Sequence, residues 1–139
     1  MRVVLGSDER TALTDAVRDD LVTRGAEVVL VGPPAGEPQE WAEVGRRVGE
    51  SVATGATETG VLFCWTGTGA SIAANKVAGV RAALCTDAAT AAGARKWNDA
   101  NVLVMSLRLT SAEVAHEILD AWFATAPDPA EAANIAALE

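Results

Sequence analysis

The chain reads as an α/β protein, a three-layer αβα sandwich around a parallel five-stranded sheet. Three observations predict this. Short apolar, β-branched runs alternate with amphipathic stretches from end to end. Glycines or turn residues separate the two kinds of segment. Repeated strand–helix units favour a parallel sheet with helices on both faces. A length of 139 residues suits one domain with a sizeable core, and no linker, repeat or low-complexity tract divides it.

The elements follow in order. "RVVLG" (Arg2 to Gly6) is the first strand, closed by glycine. "RTALTDAVRDDLVTRG" places Leu13, Val17, Leu21 and Val22 at helical spacing, with Gly25 as its stop. "EVVLVG" is the second strand and "PPAGEP" a loop. "QEWAEVGRRVGESVATG" is the second helix, with Trp41, Val44, Val48 and Val52 on one face. "GVLFC" is strand three and "ASIAANKVAG" a short helix; "VRAALC" is strand four, "DAATAAGARKW" helix four and "NVLVMS" strand five. "TSAEVAHEILDAWFAT" is helix five, with Thr110 or Ser111 as N-cap and Glu113 near a capping-box position. "APDP" leads into an alanine-rich terminal segment, Ala130 to Glu139. The order is Rossmann-like and forms a single domain over residues 1–139.

Lys and Arg number 11 against 19 Asp and Glu, a formal net charge of -8. That balance disfavours nucleic acid and anionic membrane surfaces as partners, since both need a basic footprint. No apolar run approaches a membrane span, and "MRVVLGSDER" has no signal-peptide core, so the expected location is cytoplasmic. Cys64 and Cys85 lack the spacing of a zinc site and read as free thiols. The one histidine, His116, falls with Leu119 on the apolar side of helix five and reads as structural.

In open parallel sheets ligands sit beyond the carboxyl ends of the strands. That rule selects Gly6 to Arg10, Cys64 to Ser71, Thr86 to Asp87 and Ser106 to Arg108. Cys64 closes strand three, and Thr66, Gly67, Thr68, Gly69, Ala70 and Ser71 then turn the chain into a helix. Helix N-termini present unpaired N–H groups and partial positive charge, suited to a phosphate or to an oxyanion formed during reaction. The same positive end favours a thiolate at Cys64. The alternative is a small core cysteine before an ordinary tight turn.

The run "CWTGTGASIAANKVAGVRAALCTD", followed by "NDANVL", resembles the ribose-5-phosphate isomerase B and galactose-6-phosphate isomerase family. The likeness extends in order from "GSD" (Gly6 to Asp8) to Arg108. It implies interconversion of aldose and ketose phosphates through an enediolate. Cys64 would be the base on carbon and Thr66 the polar group beside the substrate oxygens. The amides of Gly67, Thr68, Gly69, Ala70 and Ser71 would form the anion hole. Asp8 and Asn98 would hold hydroxyls, and Arg108 the phosphate. The resemblance also implies a homodimer or tetramer with sites completed across the interface, residues 127–139 packing on the neighbouring subunit, and no metal or organic cofactor.

Four positions depart from the family pattern, and all concern the expected pocket. Glu9 stands where the family has histidine after strand one. Trp97 replaces the histidine that opens the sugar ring, Trp65 replaces the glycine after the cysteine, and the tail "PAEAANIAALE" has no basic residue. Glu9, beside Asp8, could deliver protons in place of a histidine, or simply be an acid favourable to a helix dipole. Trp65 and Trp97 either narrow the pocket or pack on each other or on a partner. Trp41 and Trp122 read as core or interface anchors. Three functions fit: an isomerase with an altered carbohydrate-like substrate, a degenerate binding or partner subunit, or the ordinary ribose 5-phosphate reaction with displaced residues.

Overall fold

A computed structural model describes all residues 1–139. Five parallel strands, β1 (Arg2–Ser7), β2 (Glu27–Val31), β3 (Thr59–Cys64), β4 (Ala82–Leu84) and β5 (Val102–Ser106), form one sheet in the order β2-β1-β3-β5-β4. The helices are α1 (Ala12–Thr23), α2 (Trp41–Ala53), α3 (Thr68–Asn75), α4 (Ala88–Asn98), α5 (Ala112–Ala124) and the short α6 (Ala132–Ala136). The expected three-layer Rossmann-like architecture is the one found. "PPAGEP" contains one 3-10 turn, Pro33–Ala35.

Two apolar layers sandwich the sheet. On one face Val3, Leu5, Val61, Phe63, Leu103 and Met105 meet α1, α4 and α5 through Val17, Leu21, Ala91, Ile118 and Leu119. On the other, Val4, Leu62, Val102 and Val104 meet α2 and α3 through Val44, Val48, Ala70 and Ala74. Alternate residues of each central strand serve opposite faces, as a strand period of two requires, and both faces are covered. Trp122 is buried, and its indole N–H donates to Thr59 Oγ1 at 3.2 Å, a core anchor as expected.

Local chemistry accounts for the helix ends. Thr11 caps α1 in a reciprocal box with Thr14, whereas α5 is capped by Ser111 alone because its N3 residue is Val114. Glu113 therefore makes no capping box. One expectation shifts outward to the surface. His116 is exposed, with Nδ1 at 2.8 Å from Asp20 Oδ2 and Nε2 at 3.5 Å from Asp120, so it does not lie on the apolar face. The tail lies against α4 within its own chain: the Asp128 amide donates to the Lys96 carbonyl at 2.8 Å, and Arg81 pairs with Glu139 at 2.6 Å.

Strand order positions the site. From β1 the chain passes outward to β2, and from β3 it passes the other way, so β1 and β3 flank the point where the winding reverses. Their register pairs Ser7 with Phe63, which sets the next residues, Asp8 and Cys64, side by side at the carboxyl edge.

Candidate active site

A cavity of about 260 Å³ opens at that reversal point, lined by Asp8, Trp41, Cys64, Trp65, Thr66, Thr68 and Gly69. Larger cavities of about 500 Å³ against the tail and about 630 Å³ beside α4 contain no thiol.

The cysteine is held by the end of β5 and the two residues that follow it. The Leu107 amide donates to the Cys64 carbonyl at 3.0 Å, the Arg108 amide to the Trp65 carbonyl at 3.1 Å, and Ser106 Oγ to the same carbonyl at 2.9 Å. These bonds fix the backbone on which Cys64 and Trp65 stand. The other thiol is different in kind. Cys85 is wholly buried and donates weakly to the Ala83 carbonyl; burial, with Asp87 adding, pushes it up to about 12. It stays a thiol at neutral pH, whereas Cys64 faces the cavity.

The turn after Cys64 is shaped by Gly67, the N-cap of α3, at φ +83. A Cβ there would stand 2.6 Å from Leu84 Cδ1 and 3.3 Å from the Met105 backbone, so both the conformation and the space call for glycine. The Thr68 amide donates to Thr66 Oγ1 at 3.4 Å, and the two threonine hydroxyls lie 2.8 Å apart. The Ser71 amide is spent on the Gly67 carbonyl at 3.1 Å, which corrects its expected place in the anion hole. The amides of Gly67, Gly69 and Ala70 have no acceptor in the chain. Ala70 itself is buried in the α2–α3 layer and holds the helix down.

Asp8 enters the cavity because Ser7 folds the loop behind it. The buried Ser7 Oγ donates to the Glu9 carbonyl at 2.6 Å and accepts from the Glu9 amide at 3.2 Å. Burial first, then the nearby charges of Glu9 and Glu40, raise Asp8 above the ordinary aspartate value of 3.8; its own amide opposes them. The carboxylate inclined to hold a proton is thus Asp8. Glu9 is exposed and does not line the cavity, so its expected catalytic role is corrected: the Ser7 turn directs the chain away after Asp8.

The linkage sign for Asp8 is definite. Its folded value lies above its unfolded one, so the stability it contributes is complete below pH 3.8 and is lost as pH rises through the folded value. Asp8→Asn is therefore expected to raise Tm at pH 7 relative to pH 3 while lowering turnover. A variant stabilised less at pH 7 than at pH 3 would contradict this assignment.

Trp97 and Asn98 are not in this cavity. α4 starts at its N-cap Asp87, near the carboxyl end of β4, and runs back for 11 residues, about 16 Å at 1.5 Å per residue. Its last two residues therefore sit toward the opposite edge of the sheet, beside Ala82, Ala83 and Gly93. Arg108 is at the correct edge, exposed and free of ion pairs, but does not line the cavity. Arg10 and Arg95 are committed to Asp15 and Asp99.

Trp41 is the residue sequence reasoning missed. It is the first residue of α2, half-exposed, with its ring 2.9 Å from the point where a Cβ on Gly69 would lie. Any side chain at Gly69 would displace the indole. The loop after β2 ends at the same sheet edge as the others, so including it among the strand-end loops would have found Trp41.

Comparison with known proteins places the chain in a family. Residues 3–137 match the family model described as Ribose/Galactose Isomerase. Ribose-5-phosphate isomerase B of Escherichia coli is 42% identical over 102 residues, covering 73% of this chain and 68% of that protein. D-erythrulose-4-phosphate isomerase of Pectobacterium atrosepticum is 35% identical over 124 residues, covering 88% and 82%. The structure of Clostridium thermocellum ribose-5-phosphate isomerase B superposes with a TM-score of 0.92 at 35% identity, covering 99% of this chain and 95% of that one. With the fold, the reversal-point cavity and a family match over nearly its whole length, the chain belongs to the ribose/galactose isomerase family.

Proposed function

We propose that the protein is a sugar-phosphate isomerase in which Cys64 moves a proton between adjacent carbons. The observation that supports this most is the single cavity that gathers Cys64, Asp8, Thr66 and the amide-rich turn of α3. A thiolate at Cys64 takes the proton from the carbon next to an aldehyde. The C–H electron pair becomes the carbon–carbon double bond, and the carbonyl pair moves onto oxygen as an enediolate. Amides at the start of α3 stabilise that charge as it forms. Asp8, with Thr66 beside it, passes the hydroxyl proton from one oxygen to the other. Cys64 then returns its proton to the first carbon, leaving a ketose with no net oxidation. Each of these steps uses only groups of the chain.

Solvent deuterium incorporation, read by mass spectrometry over a panel of aldose and ketose phosphates, tests this reading. Exchange that requires Cys64 supports it. Full exchange by the Cys64→Ala protein would assign the base elsewhere, and no exchange with any panel member would point to a binding or partner subunit.

The same reading includes a homodimer. A second copy would bring Trp97 and Asn98 to the mouth of the cavity that its own chain keeps them from. The exposure of Trp65, Ile72, Trp97 and Leu109 supports an apolar contact of this kind. Light scattering coupled to size exclusion is expected to give twice the 14.3 kDa chain mass or a multiple of it. A strict monomer would remove Asn98 from the site.

A further inference from the structure

Trp41 opens α2, and the helix face it occupies continues four residues at a time through Gly45 and Gly49, both buried. A Cβ on Gly45 would stand 2.8 Å from the Ala70 carbonyl oxygen and 2.8 Å from Ala73 Cβ. One on Gly49 would stand 3.1 Å from Val77 Cγ2 and 3.2 Å from the Ala74 carbonyl oxygen. Along this face α2 therefore lies almost directly on the backbone of α3, an approach that glycine allows. At the sheet edge the relation reverses, with the large side chain, Trp41, on α2 and the glycine, Gly69, on α3. The six-membered ring of the indole rests on Gly69, its Cε3 and Cζ3 2.9 Å from where a Cβ would be. Close packing of the two helices thus fixes where this wall of the cavity stands.

Gly69 belongs to the turn whose free amides receive the enediolate oxygens in the isomerase reading. With C1 and C2 over Cys64 and their oxygens on that turn, the next carbon, C3, comes against the ring seated on Gly69. An indole face packs well on C–H bonds and gives a hydroxyl no full hydrogen-bond partner. Asp8, Thr66 and Thr68 are the polar groups of the lining, and they serve hydroxyls elsewhere on the substrate. Resting on the isomerase reading, we infer that Trp41 determines specificity at C3. It admits the epimer that turns C3–H toward the indole and rejects the epimer that turns the C3 hydroxyl there.

D-ribulose 5-phosphate and D-xylulose 5-phosphate test this, because they differ only in configuration at C3 and are both open-chain. In the reverse of the reaction described, Cys64 removes a proton from C1, the C–H pair forms the double bond and the ketone pair moves onto oxygen. Return of a solvent deuteron to C1 is read by mass spectrometry. The wild-type protein is expected to exchange one epimer faster than the other by about 10-fold or more, the cost of covering a hydroxyl without a partner. Trp41→Ala, which lets water reach C3, and Trp41→Gln, which offers an amide to the hydroxyl, should bring the two rates within about 3-fold by removing that cost. Trp41→Phe keeps an apolar ring and should keep most of the preference. Equal exchange of both epimers by the wild-type protein overturns the inference and leaves the isomerase reading intact. So does a preference that survives both Trp41→Ala and Trp41→Gln, or one that collapses with Trp65→Ala instead. Absence of Cys64-dependent exchange into either ketose overturns the isomerase reading together with the inference.

Discussion

Cys64→Ala is expected to lower kcat by about 10³-fold, within the 10²–10⁴ range for loss of a positioned proton-transfer group. KM should change little, since the indoles, the threonines and the amide turn remain. The fold should survive at a cost of about 1 kcal/mol, because the small buried thiol borders the cavity as well as the α2–α3 core layer. Cys85→Ala is the control. That thiol is buried under β4 and α4, so its loss should cost about 1 kcal/mol of stability and leave kcat at the wild-type level. Steady-state kinetics with thermal melts on both variants separates the cases. If the Cys85 variant were the inactive one, the site would be misplaced by two strands, from the end of β3 to the end of β4.

Gly67→Ala is the second large effect. The left-handed backbone at φ +83 costs a non-glycine residue about 1–2 kcal/mol, and the new methyl overlaps Leu84 and presses on the Met105 backbone. The combined loss should lower Tm by roughly 5–10 °C. Relief of the overlap tilts the turn and misaims the amides that follow, so kcat should also fall by about 10²-fold, as removal of one oxyanion donor does. A destabilised variant with unchanged kcat would show that the turn is structural and that the enediolate charge is stabilised elsewhere.

The fold was legible because both of its periodicities are clean. Strands such as "VLVMS" are apolar on both sides, as burial under two helical layers demands, and each helix shows one apolar stripe. Strand order was not legible from spacing; it follows from right-handed crossovers that set α2 and α3 on one face and α1, α4 and α5 on the other. Strand four was read as Val80 to Cys85 but spans Ala82–Leu84, because the Arg81 amide turns aside to the Asn101 side chain at 2.7 Å.

The site was half legible. Asp8, Cys64, Trp65, Thr66, Thr68 and Gly69 do meet, since strand-end residues of β1 and β3 need only the parallel register to converge. Trp97 and Asn98 do not, since a helix following a strand carries its far end back across the sheet. Glu9 was misplaced by one hydroxyl, the Ser7 turn being invisible to any rule about charge.

The placement of the tryptophans has an optical consequence. The chain has four tryptophans and no tyrosine, so its ultraviolet emission is indole emission alone. Trp41 and Trp65 bound the cavity with 45% and 61% of their surface in water, while Trp122 is 3% exposed and shielded from whatever enters. A molecule settling over Cys64 replaces solvent at the first two rings and leaves the third unchanged. The protein thus carries its own fluorescent reporter of occupancy, with an internal reference, and candidate substrates can be titrated without a label.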